Sequence, residues 1–203
     1  MFASNFSSTS SSSTGYHVPP PQGSQNTGPA HEHVFELNFV CRPNPRPSIL
    51  NSTVVGRDGF TPYFHIMSTS ERTVFRTNEG RTVAQIDWRA NSTGGSPYVE
   101  VRNAVAKQRV SRWLPVSADG SYRIMTVQRS RYVWVPQTDC ICMYNWNPEM
   151  FENVPQLLAR MENPNKGQNQ TVKFEIAVEA MNRGLLEMTV VAATLFQAGR
   201  PID

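Results

Sequence analysis

From Glu32 onward the chain alternates apolar and polar residues in short runs separated by turn residues, the pattern of antiparallel sheet. In Val34 to Val40, Phe35, Leu37 and Phe39 share one face while Glu36 and Asn38 share the other. The run Cys41-Arg42-Pro43-Asn44-Pro45-Arg46-Pro47 ends that strand, because proline cannot donate to a ladder. Strands are predicted next over Ile49 to Val55 and Tyr63 to Thr69, with Arg57-Asp58-Gly59 between them as a hairpin signal. A second hairpin is predicted from Arg72 to Asn78 and Arg81 to Arg89 around Glu79-Gly80. A two-residue loop there pairs Thr77 with Thr82, Phe75 with Ala84 and Thr73 with Ile86 on one face, which Trp88 extends. The other face collects Arg76 with Val83, Val74 with Gln85, and Arg72 with Asp87 as a cross-strand ion pair.

Further strands are predicted at Tyr98 to Arg102, Lys107 to Leu114, Ser121 to Gln128, Tyr132 to Val135, Asp139 to Tyr144 and Thr171 to Ala180. The strand count approaches a dozen. Val154, Leu157, Leu158 and Met161 recur at helical spacing, so Asn153 to Met161 is expected to be a short helix in a connection. The segment Leu185 to Phe196 is apolar nearly all round, with Glu187 its only charge. Such a helix must be enclosed, and it is too short to cross a bilayer, which needs about 20 residues. The expected fold is therefore mainly β, a closed antiparallel barrel of about twelve strands around a hydrophobic C-terminal helix. Glu187 is expected at the entrance of the barrel, capping the helix or meeting an arginine.

Composition changes this picture chiefly at the front. Residues 1–30 contain no Lys, Arg, Asp or Glu and are dominated by Ser, Pro, Gly, Asn and Thr. A segment of that kind cannot bury enough apolar surface to offset the entropy of ordering, so it is expected to be a disordered tail before one domain over 31–203. The Ser-rich start lacks the basic and apolar regions of a secretory signal, and the three cysteines form no disulfide framework. Both features point to an intracellular protein, in which the sequons at Asn5, Asn51, Asn91 and Asn169 stay unmodified. The net charge of +3 is unevenly spread: Glu71 to Arg131 holds eleven basic and five acidic residues, against five and eight in Tyr132 to Asp203.

The succession Tyr63-Phe64-His65-Ile66-Met67-Ser68-Thr69, Arg72-Thr73-Val74-Phe75-Arg76, Val83-Ala84-Gln85-Ile86-Asp87-Trp88, Ser111-Arg112-Trp113-Leu114-Pro115, Tyr132-Val133-Trp134 and Leu185-Leu186-Glu187-Met188-Thr189-Val190-Val191 resembles a family of uncharacterised proteins abundant in mushroom-forming fungi. The likeness runs from about Val34 to Phe196 and lies in the order of short motifs. That family is in turn similar to the tubby C-terminal and LURP-one type of domain. The resemblance implies a roughly twelve-stranded barrel threaded by a hydrophobic helix, and it brings phosphoinositide binding into view as an activity of tubby-type proteins. No residue of this chain matches a lipid-binding motif of that group. The stretch around Asn145 to Gln170 and the polar front tail exceed a minimal member.

Candidate chemistry is sparse. Cys140-Ile141-Cys142 puts two sulfurs on one face of a strand, and with Cys41 or His31-Glu32-His33 they could in principle bind a metal. The spacing is not that of a zinc knuckle, so buried thiols and no metal are expected. His65 is the only histidine within the predicted strands and helices and has no partner motif for acid–base or nucleophilic work. Ser92-Thr93-Gly94-Gly95-Ser96-Pro97 lacks the Lys and helix of a phosphate loop, and no cofactor motif is present. Tyr98, Trp113, Trp134 and Trp146 are spaced as core or rim aromatics rather than a base-stacking platform, so nucleic-acid binding is not expected.

Arg76, Arg81 and Arg89 are expected on the wet face of the second hairpin as an anion-binding strip, extended by Arg109, Arg112, Arg129 and Arg131. The competing reading is a solvated sheet face that discourages edge pairing. The function expected from the sequence is a non-enzymatic binding domain, for phospholipid headgroups at a membrane surface or for a protein partner. The alternatives are an enzyme with a small-ligand site at the barrel mouth, using His65 or a cysteine, and a purely structural interaction domain.

Overall fold

The computed structural model describes residues 34–42, 48–89, 95–146, 155–162 and 171–203. Twelve strands occur in chain order: β1 (Val34–Arg42), β2 (Ser48–Gly56), β3 (Pro62–Ser68), β4 (Arg72–Thr77), β5 (Thr82–Asp87), β6 (Tyr98–Val101), β7 (Val105–Arg109), β8 (Arg123–Val127), β9 (Ser130–Pro136), β10 (Cys140–Trp146), β11 (Leu157–Glu162) and β12 (Thr171–Ala177). Three helices join them, α1 (Val110–Trp113), α2 (Val178–Asn182) and α3 (Leu186–Gln197). The strands form one antiparallel sheet in the order β7-β6-β5-β4-β3-β2-β1-β12-β11-β10-β9-β8, a nearly closed barrel whose seam lies between β7 and β8. The predicted tail over residues 1–30, His31-Glu32-His33 and the Ser92-Thr93-Gly94 stretch fall outside the described residues.

Helix α3 fills the barrel. Every residue from Met188 to Leu195 is buried, and Val191 is 1% exposed. The two polar residues in that run are satisfied within the helix: the Thr189 hydroxyl donates to the Leu185 carbonyl at 2.9 Å and Thr194 to Val190 at 2.8 Å. The inward faces of the strands meet it with Leu37, Phe39, Phe75, Ile86, Met125, Trp134, Met161 and Phe174, all under 2% exposed. Twelve residues of helix rise about 18 Å, close to the height of a six-residue strand, so one short helix suffices to plug the interior. Glu187 lies in the first turn of α3, at the entrance as expected, where a carboxylate complements the helix dipole. It was expected to cap the helix or meet an arginine; among the described residues it forms no ion pair, and no side-chain hydrogen bond caps α3.

Four expectations need correction. The first is the helix over Asn153 to Met161: Asn153 and Val154 lie outside the described residues, and Leu157–Glu162 is strand β11. A bulge opposite Met143/Tyr144 inserts Leu158, so buried Leu158 and Met161 recur three apart and imitate helical spacing. In the second, the extended segment Lys107 to Leu114 leaves the sheet after Arg109 and makes one helical turn, α1, which buries Val110 and Trp113 beneath the seam. In the third, the strand expected to reach Ala180 stops at Ala177, and α2 reverses the chain toward the barrel interior. Gly184 ends that turn at φ +68°, with its N–H on the Met181 carbonyl and Leu185 N–H on Ala180, the left-handed stop that only glycine adopts without strain.

The fourth concerns the second hairpin. Phe75 pairs with Ala84, Thr73 with Ile86, Val74 with Gln85 and Arg72 with Asp87, as the alternation requires. A bulge between Phe75 and Arg76 then brings Arg76 opposite Thr82, so the expected pairs Thr77 with Thr82 and Arg76 with Val83 do not form. The loop is longer than two residues: Thr77 N–H donates to the Arg81 carbonyl and Gly80 N–H to Thr77. Asp87 faces Arg72 across the ladder, yet its carboxylate is held by Arg89.

Candidate arginine rim

In an antiparallel meander every second connection lies at the same end, so the register fixes which turns share a rim. The turns β2–β3, β4–β5, β6–β7 and β8–β9 all open at the end where α3 begins, called here the near end. Each carries arginine: Arg57, Arg81, Arg102 and the pair Arg129 and Arg131, all exposed. Neighbouring turns are two strands apart, which spaces them by about 10 Å around the rim. The seam between β7 and β8, the two ends of the sheet, lies between the β6–β7 and β8–β9 turns.

Local geometry pushes these side chains outward. In the β2–β3 turn, Asp58 accepts from the N–H groups of Phe60 and Thr61 at 3.0 Å, a side-chain turn that leaves Arg57 on the outside. Its carboxyl is held below the ordinary carboxylate range by hydrogen bonds from the Thr61 side chain and from the Thr61 and Phe60 backbone. The same turn lifts Phe60 to 87% exposure. In the β8–β9 turn, Gln128 and Arg129 both take positive φ, 47° and 75°, between the paired residues Val127 and Ser130. Two successive left-handed residues match the twist of a two-residue hairpin, at a cost of roughly 1 kcal/mol or more each for side chains other than glycine.

The three arginines singled out from the sequence do not converge. Arg81 belongs to this rim. Arg76 lies on the outer wall, where it lines a shallow groove of about 440 Å³ with Arg72, Met67 and Glu71. Arg89 follows β5 at the opposite, far end, separated from Arg81 by the strand's length of about 20 Å, and its Nε donates to Asp87 at 2.9 Å. That contact pulls the Asp87 carboxyl down to about 2, the hydrogen bond from the Arg89 side chain being the largest cause. Of the proposed extension, Arg129 and Arg131 are on the rim. Arg109 is drawn to the far end by the Ser96 carbonyl at 3.2 Å and by the Tyr98 ring, and Arg112 sits on α1. Arg57 and Arg102 escaped the sequence reading. Their only signal is a parity: each occupies a turn an even number of strands from Arg81.

Other candidate chemistry finds little support among the described residues. His65 is half-buried on the outer wall of β3 with Nδ1 at 3.4 Å from the Thr53 hydroxyl. Cys41, which pairs with Ser52 on the neighbouring ladder, faces the interior instead, so no thiol stands beside the imidazole. Trp113 and Trp134 are core residues at 2% and 1% exposure, and the Tyr98 ring is covered by Lys107 and Arg109 rather than open for stacking. No group of three or more metal-ligating side chains occurs among the described residues, and none of their helices is long and apolar enough to cross a membrane.

No functionally curated protein is significantly similar to the chain. An X-ray structure of a protein from Arabidopsis thaliana is similar at a TM-score of 0.44 and 10% identity, over 80% of this chain and 91% of that one. Residues 47–200, which hold everything from β2 through α3, match the model of a family of unknown function, DUF6593. The chain belongs to that family.

Proposed function

We propose that the protein is a non-enzymatic binding domain that docks by its near end on an anionic membrane surface, with phospholipid headgroups as the ligand. The observation that carries this reading is the rim itself: arginine in each of four successive turns, with Phe60 87% exposed among them. Arginine suits phosphate through its planar fork, and each basic side chain near an anionic leaflet contributes about 1 kcal/mol. An exposed aromatic ring beside such charges is placed to enter the interfacial layer. The barrel with its apolar helix is in keeping with the tubby-type, fungal resemblance of the sequence, and free Cys41, Cys140 and Cys142 agree with a reducing, intracellular setting.

Sedimentation with vesicles tests the proposal. Binding to vesicles of phosphatidylcholine with phosphatidylserine or a phosphoinositide is expected, and it should fade as salt shortens the Debye length from about 10 to 3 Å. Replacing Arg57, Arg81, Arg102 and Arg129 together by Gln should weaken it by on the order of 100-fold, given about 1 kcal/mol per arginine and partial contact. Replacing far-end Arg42 and Arg112 by Gln should leave it unchanged. Equal loss from both sets would point to unspecific charge attraction. An absence of binding to every anionic vesicle would overturn the membrane reading and leave a protein partner for the rim.

A further inference from the structure

On β4 the inward residues Thr73 and Phe75 are buried, so Arg72, Val74 and Arg76 stand on the outer wall, each about 6.7 Å from the next. Met67, 38% exposed on β3, pairs with Val74. The groove of about 440 Å³ on this wall therefore has an apolar middle between two arginines. Its far end is held by the chain itself. Thr69 Oγ1 accepts from the N–H groups of Glu71 and Arg72 at 3.3 and 3.1 Å, and Arg200 donates to the carbonyls of Ser70 and Thr69. A wall fixed in this way loses little freedom when a partner docks.

The carboxylates nearby do not neutralise the two arginines. Asp87 faces Arg72 across the ladder but is held by Arg89, and Glu100, beyond Gln85 on the same wall, accepts from the Gln85 amide at 2.7 Å. Among the described residues neither Arg72 nor Arg76 forms an ion pair. Glu71 is the one carboxylate in the lining, and its field also acts on Arg89.

The form of the groove selects the partner. Small-ligand pockets enclose most of their ligand, which a shallow groove on a sheet face does not do. An extended chain laid along the strands repeats its side chains at the same 6.7 Å or so as β4. A segment reading acidic-x-apolar-x-acidic thus sets a carboxylate against each arginine and an apolar side chain against Val74 and the adaptable Met67. No aromatic ring lines the groove, so it offers no stacking to nucleic-acid bases. We infer that this wall docks an acidic segment of a partner protein, at a surface separate from the near-end rim and independent of the membrane reading.

The test is fluorescence anisotropy of the full chain with a labelled peptide that carries two glutamates four residues apart and a leucine midway. Saturable binding that weakens with salt is expected. Arg72→Gln and Arg76→Gln should each lower affinity about threefold and together about tenfold, and Met67→Ala about threefold, while near-UV circular dichroism stays native. Arg129→Gln with Arg131→Gln, across the barrel, should change nothing. The double Arg72, Arg76 variant should still sediment with anionic vesicles as the wild type does. No saturable binding below about 1 mM, equal binding of a peptide with glutamine in place of glutamate, or equal loss from the Arg129, Arg131 set would each overturn the proposal. Loss of vesicle binding in the Arg72, Arg76 variant would overturn it too, by assigning the wall to the membrane face.

Discussion

The two ends of the barrel are built from the same kind of residue and put it to opposite use. At the far end Arg89, Arg109, Arg123 and Arg200 are engaged by their own chain. Arg123 bonds the Leu114 carbonyl at 3.0 Å and Asp203 at 2.8 Å, while Arg200 donates to the carbonyls of Ser70 and Thr69 at 3.1 and 3.2 Å and lies 5.0 Å over the Trp88 ring. The Ser96 hydroxyl donates to the Ile202 carbonyl at 2.8 Å and accepts from Ser111 N–H at 2.9 Å. The segment after α3 thereby ties β6, α1 and β8 together and closes the seam where no ladder exists. At the near end the turn arginines are exposed, and among the described residues the near-end arginine that forms an ion pair is Arg183, with Glu179 one helical turn away. Guanidinium groups that meet carbonyls and carboxylates of their own chain hold a fold, and those displayed on turns are available to a ligand.

The contrast is most severely tested by breaking what connects the two ends. Val191→Asp puts a carboxylate in the middle of α3, where it must be desolvated or protonated, and should destabilise the protein by about 3 to 5 kcal/mol in urea denaturation. An unchanged melting temperature would mean that α3 does not plug the barrel.

A smaller effect is expected from loosening the far end alone. Arg123→Ala with Arg200→Ala removes the latch but no core, and should cost about 2 kcal/mol, since both lost carboxylate and carbonyl contacts are partly solvated. Amide exchange should accelerate first in β8 and α1. Uniform acceleration across the sheet would show that the seam is not a separate weak point.

Acid should reach the far end next. The Asp87 carboxyl, held at about 2 against an ordinary 3.8, stabilises the folded state fully above the ordinary value and loses that contribution as pH falls from about 4 toward 2. With Arg89 more than half exposed, the effect is on the order of 1 kcal/mol after solvent screening, read as a shallower acid limb in Asp87→Asn. The smallest effect is reserved for the near end: the Arg57, Arg81, Arg102 and Arg129 to Gln variant should shift stability by less than about 0.5 kcal/mol in total, since exposed substitutions are small and of either sign. A large loss there would make the rim a structural feature like the far end.

Much of this architecture can be read from the residues because burial imposes a local period. Phe35, Leu37 and Phe39 alternate and Leu185 to Phe196 is apolar all round, so strands, an enclosed helix and a barrel follow without coordinates. Where a bulge shifts that period the reading fails, as Leu157 to Met161 shows, because two adjacent inward residues break the alternation that defines a strand. The ion pair expected for Asp87 failed for a related reason. Cross-strand neighbours are set by register, but which of two arginines a carboxylate takes depends on the course of the chain after the strand ends.

The sequence by itself determined that a β-rich wall surrounds an apolar terminal helix, since an all-round apolar helix too short for a membrane has no stable alternative to enclosure. It also determined that the positive charge lies in the middle of the chain. Only the tertiary structure decided how that charge is divided. Arg57, Arg81, Arg102 and Arg129 are far apart in sequence, and Arg81 and Arg89 are close, yet the meander gathers the first four on one rim and sends Arg89 to the other end. Strand parity and the position of the seam make that division, and both are properties of the whole sheet rather than of any local run of residues.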